Sequence, residues 1–205
     1  MFKRLFDILF AASILLALAP LLAVLALWVR LDSPGPVLYR QTRVGRGGRH
    51  FRIAKFRTMR VGADQAGPAI TVGADARITR AGHFLRRTKL DELPQFANVL
   101  VGDMSVVGPR PEVPHYVALY PPEAARQVFS VRPGITDLAS LAFRDESALL
   151  AQSSDPEHTY VHEILPAKLR YACEYAGTHS LWLDLRIIAR TAAAVFRGPA
   201  PGEKP

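Results

Sequence analysis

Cysteine is almost missing from this chain: Cys173 stands alone among 205 residues, so no intrachain disulfide can form. That fits a reducing compartment. With Tyr171 and Tyr175 beside it in a helical pattern, packing suits Cys173 better than chemistry. Metal-cage spacing is also lacking. The six histidines are scattered, and the one i,i+4 pair, His158 and His162, is flanked by Glu157 and Glu163 without reproducing a zinc-protease motif. No internal repeat is visible. Acid is absent between Arg40 and Arg60, where eight basic residues occur. The net charge is +8, which suits an anionic membrane surface, a phosphate-rich substrate or nucleic acid without choosing among them.

Charge of either sign is missing from Ile8 through Val29, 22 residues with Pro20 just past the middle. About 20 apolar residues cross a hydrocarbon core of roughly 30 Å. Proline inside a helix removes a backbone hydrogen bond and clashes with the preceding turn, so a kink is predicted at Pro20. The arms Ile8–Ala19 and Leu21–Val29 would each rise only about 14–18 Å at 1.5 Å per residue. Lys3 and Arg4 precede the run, and Arg30, Arg40, Arg43, Arg46 and Arg49 follow it. A re-entrant dip keeps both basic flanks on one side, the cytoplasmic side; a spanning anchor with a charge asymmetry remains the alternative. A cleaved signal peptide fits less well, since the run is too long and lacks a small-residue cleavage site.

Three segments follow: a membrane element over 1–33, a soluble domain over 34–197, and a tail over 198–205 whose Gly-Pro-Ala-Pro-Gly composition reads as disordered. Val37–Thr42 and Phe51–Met59 read as strands of a hairpin around Gly45–Gly48, whose spacing matches no nucleotide-binding fingerprint. Helices are predicted over Thr79–Arg87, Pro94–Val101, Pro122–Val128, Pro166–Tyr175 and Leu181–Phe196. In the last, Leu181, Leu185, Ile188 and Ala192 form a stripe that can lie on a bilayer or pack on the core. The fold class is therefore α/β: a kinked membrane helix, then a compact, mostly helical domain with a small β-hairpin and interfacial amphipathic helices.

Chemistry concentrates in Arg86-Arg87-Thr88-Lys89-Leu90-Asp91-Glu92-Leu93-Pro94-Gln95. Pro94 favours a helix start, placing Asp91 near the positive end of a helix dipole. Taken alone, Asp91 is a capping residue. The neighbourhood lifts the functional reading: Arg86, Arg87 and Lys89 crowd one side, and Gly108-Pro109-Arg110-Pro111 stiffens a turn around another arginine. A carboxylate attacking a phosphate must overcome repulsion between anions, which guanidinium forks and a divalent cation relieve. Aspartate can then serve as a nucleophile through an acyl-phosphate.

Five ordered motifs carry a resemblance over about residues 2–195: Lys3-Arg4-Leu5-Phe6-Asp7, Lys55-Phe56-Arg57-Thr58-Met59, Leu90-Asp91-Glu92-Leu93-Pro94-Gln95, Asp103–Pro111, and Arg132-Pro133-Gly134-Ile135-Thr136. Together they resemble the bacterial sugar transferases, and among them the small monotopic phosphoglycosyl transferases. The resemblance implies transfer of a sugar-1-phosphate from a UDP-sugar to polyprenyl (undecaprenyl) phosphate. UMP leaves, and a covalent phospho-sugar aspartyl intermediate forms on the cytoplasmic face of the bacterial inner membrane. It implies that Asp91 is nucleophile and Mg²⁺ ligand, that Glu92 assists the incoming lipid phosphate, and that Lys55, Arg86, Arg110 and Arg144 line the phosphate site. Membrane lipids are then partners, nucleic acid is not, and a homodimer stays open. The family's Ser-Pro break is Ala19-Pro20 here, so the bend rests on the proline. Asp137–Arg144 keeps the spacing to an arginine but not the family's tryptophan or Asn-Gly turn, and Ala172 stands where an aspartate is usual. A membrane-anchored basic module that binds nucleic acid or anionic lipid without catalysis is the rival reading; its aromatic content, Tyr39, Phe51 and Phe56, is thin for base stacking.

Overall fold

Two helices meeting at Pro20 open the structure, a computed structural model that describes residues 2–63, 70–73, 75–143 and 146–196. Arg144 and the expected tail, 198–205, lie outside the described residues. Helices α1 (Phe2–Ala17) and α2 (Ala19–Asp32) bend by 65°. Pro20 falls in the first turn of α2, where its missing N–H costs nothing, while Leu18 and Leu22 still donate to Ile14 and Leu18. No single helix among the described residues is long and apolar enough to cross a membrane; the bent pair together meets that test by length and composition.

The pair does not stand apart from the rest. Ala11 of α1 is buried with Ile53, Val99, Met104, Val106, Val107, Tyr175 and Ile187, the main core. Leu25 and Val29 of α2 are buried with Phe56 and Leu85. The outer faces are bare: Phe2, Leu5, Leu9, Leu16, Val24, Leu27 and Leu31 are all more than half exposed.

After α2 the chain is mostly helical, with a small antiparallel sheet as the sequence pattern predicted. Strands β1 (Leu38–Val44) and β2 (His50–Phe56) pair with Tyr39 opposite Lys55, and a short 3₁₀ turn, Arg46–Gly48, closes the hairpin. Helix α3 (Arg80–Thr88) is capped by the Thr79 hydroxyl, which accepts from the Gly82 amide. Helix α4 (Gln95–Val101) lies under β2. There Asn98 acts as a substitute strand: its Oδ1 accepts from Ala54 N at 2.9 Å and its Nδ2 donates to Arg52 O at 2.9 Å. Both free edge groups are thereby satisfied.

A second sheet was not anticipated. Strands β3 (Ser105–Val107) and β4 (Gly134–Thr136) pair in parallel, each three residues long and too short to show an alternating pattern. A Cβ on Gly134 would sit 2.1 Å from Gly108 N, so only glycine permits the approach. The remaining helices are α5 (Pro114–Val117), α6 (Pro122–Val128), α7 (Leu138–Ala142), α8 (Glu146–Ala151), α9 (Pro156–Thr159), α10 (Leu165–Thr178) and α11 (Leu181–Phe196), with a π-helical turn, Tyr160–Ile164, before α10. Ile70, Tyr116, Leu150, Tyr160, Ile164 and Leu165 form a second core there.

On α11, Asp184 and Ile187 face inward and Ile188 of the stripe packs on the main core, while Leu181 and Leu185 are exposed, so packing on the core takes only part of the stripe. One expectation changes. The basic flank Lys3-Arg4 is used internally. Lys3 Nζ lies 2.6 Å from Asp184 Oδ2, whose other oxygen accepts from Tyr175 OH at 2.6 Å. Asp7 accepts from Ser105 Oγ and Val106 N. Arg4 donates to the carbonyls of Val99 and Leu100 at the end of α4, where Val99 O also accepts from the Gly102 amide.

Candidate active site

Helix α3 and its continuation set the acidic pair. The helix ends on Lys89, which adopts φ 59°, the left-handed conformation and the one positive φ at a non-glycine among the described residues. That reversal throws Leu90–Glu92 into a 3₁₀ turn, and α4 follows with Pro94 as its N-cap residue. Asp91 makes no capping hydrogen bond, so the plain capping role does not apply.

The two neighbouring carboxylates live in different surroundings. Glu92 Oε1 is 2.8 Å from Lys55 Nζ and 2.6 Å from Arg110 Nη2, and its Oε2 is 3.3 Å from Arg110 Nη1. Burial alone would raise its pKa; the charges and hydrogen bonds of Arg110 and Lys55 outweigh that and hold Glu92 well below the usual carboxylate range. Asp91 is 8% exposed and accepts no hydrogen bond from a described residue. Burial pushes its pKa up, against the Lys55 charge and with the help of Glu92. Arg110 is held more tightly protonated, chiefly by Glu92. Lys55 is pushed down by burial although Glu92 opposes it.

Around the pair, each cation has its own support. Arg86 on α3 donates from Nε to Thr58 Oγ1 at 2.9 Å and from Nη1 to Thr71 Oγ1 at 3.0 Å. Burial lowers its pKa, and the Asp91 charge offsets that. Arg110 sits in the Pro109–Pro111 turn; its amide donates to Asp137 Oδ2 at 2.9 Å, while Asp137 also caps α7 through Ser140 N. Arg43 Nη1 donates to Pro111 O at 3.0 Å and pins the same turn.

The structure thus gathers five of the predicted residues, Asp91, Glu92, Lys55, Arg86 and Arg110, and places Pro20 at the bend. Arg144 lies outside the described residues. Sequence reasoning missed Asp137, Arg43, Thr58 and Thr71. Only Asp137 carried a local signal, an aspartate directly before a helix. Of the eight basic residues from Arg40 to Arg60, Arg43, Lys55 and Arg57 are engaged inside the fold, which weakens the basic-module reading.

The donor set suits a sparsely held Mg²⁺. No group of three His, Cys, Asp or Glu side chains that could hold a metal occurs among the described residues, and Glu92 is occupied by two cations. Asp91 retains unbonded carboxylate oxygens, and Mg²⁺ is commonly held by one or two carboxylates with substrate phosphates and water.

A buried, unpaired carboxylate ringed by fixed cations is the arrangement of a phosphoryl-handling centre, and comparison with known proteins gives that class its family. The model of the bacterial sugar transferases matches residues 1–198, and the chain belongs to that family, whose members are phosphoglycosyl transferases. A UDP-glucose:undecaprenyl-phosphate glucose-1-phosphate transferase of Caulobacter vibrioides is 41% identical over 95% of this chain and 69% of its own length. An Escherichia coli protein of the same name is 41% identical over 96% of this chain, and an Aeromonas hydrophila UDP-N-acetylgalactosamine-undecaprenyl-phosphate N-acetylgalactosaminephosphotransferase is 37% identical over 96%. The chain spans 40% and 44% of the lengths of those two.

Proposed function

We propose that this protein transfers a sugar-1-phosphate from a UDP-sugar to undecaprenyl phosphate, releasing UMP. The observation that carries the mechanism is the contrast between adjacent carboxylates: Glu92 locked by Lys55 and Arg110, Asp91 buried and unbonded. In the first displacement an Asp91 carboxylate oxygen attacks the phosphorus nearer the sugar; a P–O bond to it forms and the bond to UMP breaks. In the second, an oxygen of the lipid phosphate attacks the same phosphorus and the aspartyl oxygen leaves, restoring the carboxylate. Lys55, Arg86 and Arg110 offset phosphate charge in both steps. Mg²⁺ held by Asp91 and the diphosphate would supply further charge neutralisation.

Glu92 acts through the cations it holds rather than as a base. A carboxylate kept ionised this firmly accepts a proton poorly, and a phosphate monoester with a second pKa near 6 is already largely dianionic at neutral pH. The bare outer face of the helix pair, from Phe2 to Leu31, supports a re-entrant dip into the cytoplasmic leaflet of the inner membrane over residues 1–33, with residues 34–197 on the cytoplasmic face. Exposed leucines in such a row are unfavourable in water by about 25 cal/mol per Å².

The test is a single-turnover reaction with Mg²⁺ and a panel of UDP-sugars. UMP and a sugar-phosphate adduct on Asp91 are expected without any lipid acceptor, and Asp91→Asn loses both. If wild-type protein that completes full turnover gives neither, the covalent step is wrong. A tag at residue 1 that can be labelled from outside intact cells would refute the re-entrant geometry.

A further inference from the structure

Two routes lead from the end of α2 to opposite sides of the candidate site. The first runs through Arg57, two residues beyond Lys55. Its guanidinium donates to Pro36 O at 2.6 Å, to Ser33 Oγ at 2.6 Å, to Ser33 O at 2.8 Å, to Pro34 O at 3.1 Å and to Val29 O at 3.4 Å. Arg57 is 4% exposed and forms no ion pair with a described residue. A buried cation without an ion-pair partner is costly; here Val29 O in the last turn of α2, Ser33 at its C-cap and the loop carbonyls of Pro34 and Pro36 take the anion's place. Only a planar fork reaches so many acceptors at once, and lysine does not.

The second route runs through Asp32. Its Oδ2 accepts from Ala81 N at 3.0 Å in the first turn of α3, whose far end carries Arg86 and leads into Asp91. The two routes are welded together at Thr58. Its carbonyl accepts from Thr79 N at 3.0 Å, its hydroxyl accepts from Arg86, and Gly82 packs so closely that a Cβ would lie 2.0 Å from Thr58 O. Lys55 and Asp91 are therefore both referenced to the last turn of α2, the helix whose outer face is bare.

We propose that Arg57 and Asp32 are positioning residues forming a joint that fixes the height of the Asp91 site above the immersed part of the helix pair. The joint serves the lipid-borne phosphate, which must be met at a set depth, and not the water-soluble donor, which approaches freely. The proposal rests on the transferase and membrane reading above.

Full-length wild type, Arg57→Lys and Asp32→Ala, which removes the acceptor for Ala81 N, are compared in nanodiscs. With undecaprenyl phosphate, kcat/KM for the acceptor is expected to fall about 10-fold or more, since misplacement on the ångström scale costs rates of that order or larger. The same constant for UDP-sugar stays within about 3-fold, and transfer to a short, water-soluble isoprenyl phosphate in detergent is retained. A proportional loss toward donor, long acceptor and short acceptor overturns the proposal, as does no loss in either variant. A second measurement needs no catalysis: the depth of a spin label at position 87, read by collision with lipid-soluble and water-soluble relaxants, shifts in the variants. An unchanged depth overturns the joint. If wild type turns over no UDP-sugar, the transferase reading falls while the depth measurement still decides the joint.

Discussion

Arg110 grips Glu92 with both guanidinium nitrogens, Nη2 at 2.6 Å and Nη1 at 3.3 Å, and Lys55 closes on the same carboxylate from β2. Two cations share one anion, so removing that anion strands both. Glu92→Gln is expected to cost about 2–4 kcal/mol, less than a fully buried pair because Arg110 is 34% exposed. Chemical denaturation measures the loss, and UMP formation is expected to fall at least about 10-fold as Lys55 and Arg110 lose their anchor.

Asp91 responds in the opposite sense. Its folded pKa is raised, so the charged form weakens the fold once pH rises above the ordinary carboxylate range, and this penalty vanishes at low pH where Asp91 is protonated in both states. Asp91→Asn therefore raises Tm at pH 7, with a gain that shrinks as pH falls toward about 4. Activity is lost at every pH. A variant that is dead and more stable separates chemistry from folding.

Glu92 titrates with the other sign. Its depressed pKa stabilises the fold above the ordinary glutamate range, and that contribution is lost as pH falls through its low folded value. Wild type should lose Tm on acidification below about pH 4 more steeply than Glu92→Gln, which has nothing there to protonate.

Lys89 tests the reversal that delivers the acidic pair. An L-residue in the left-handed region costs about 1–2 kcal/mol, and β-branching makes it worse. Lys89→Gly should leave stability unchanged or improved, whereas Lys89→Val should lower it by more than about 1 kcal/mol and misplace Asp91, seen as a fall in kcat.

Chelation tests the proposed Mg²⁺. With Asp91 the one site carboxylate among the described residues left without a hydrogen bond, EDTA is expected to stop UMP formation without changing the far-ultraviolet circular dichroism or Tm of the substrate-free protein, and added Mg²⁺ restores turnover. A drop in Tm on chelation would point to a structural ion instead.

What could be read from the residues follows the range of the interactions. Pro20, the hairpin and the helices over Arg80–Thr88, Pro122–Val128 and Leu181–Phe196 rest on local rules, and the structure has them within a residue or two, except that the second hairpin strand ends at Phe56, three residues before Met59. The motifs that carried Asp91, Glu92, Lys55, Arg86 and Arg110 are also contiguous runs, and the fold collects them. The misses are pairings across long separations. The strands β3 and β4 are too short for a periodic signal. The Arg110–Asp137 contact joins two turns. The inward face of α11 is set by Asp184, a polar residue that any apolar-stripe count assigns to solvent, and it is buried because Lys3 and Tyr175 meet it. Lys3 and Arg4 looked like free basic flanks for the same reason: their partners stand 181 and 95 positions away.

That Lys3–Asp184 bridge also orders events in time. Helix α1 is made before α11, and until α11 has been translated Lys3 has only Asp7 of its own helix, at 3.8 Å, in place of the 2.6 Å contact with Asp184, so the last docking of α1 must wait for the far end of the domain. Closing so long a loop is slow. Bulky fusions placed just ahead of Lys3 should therefore interfere with this final docking step.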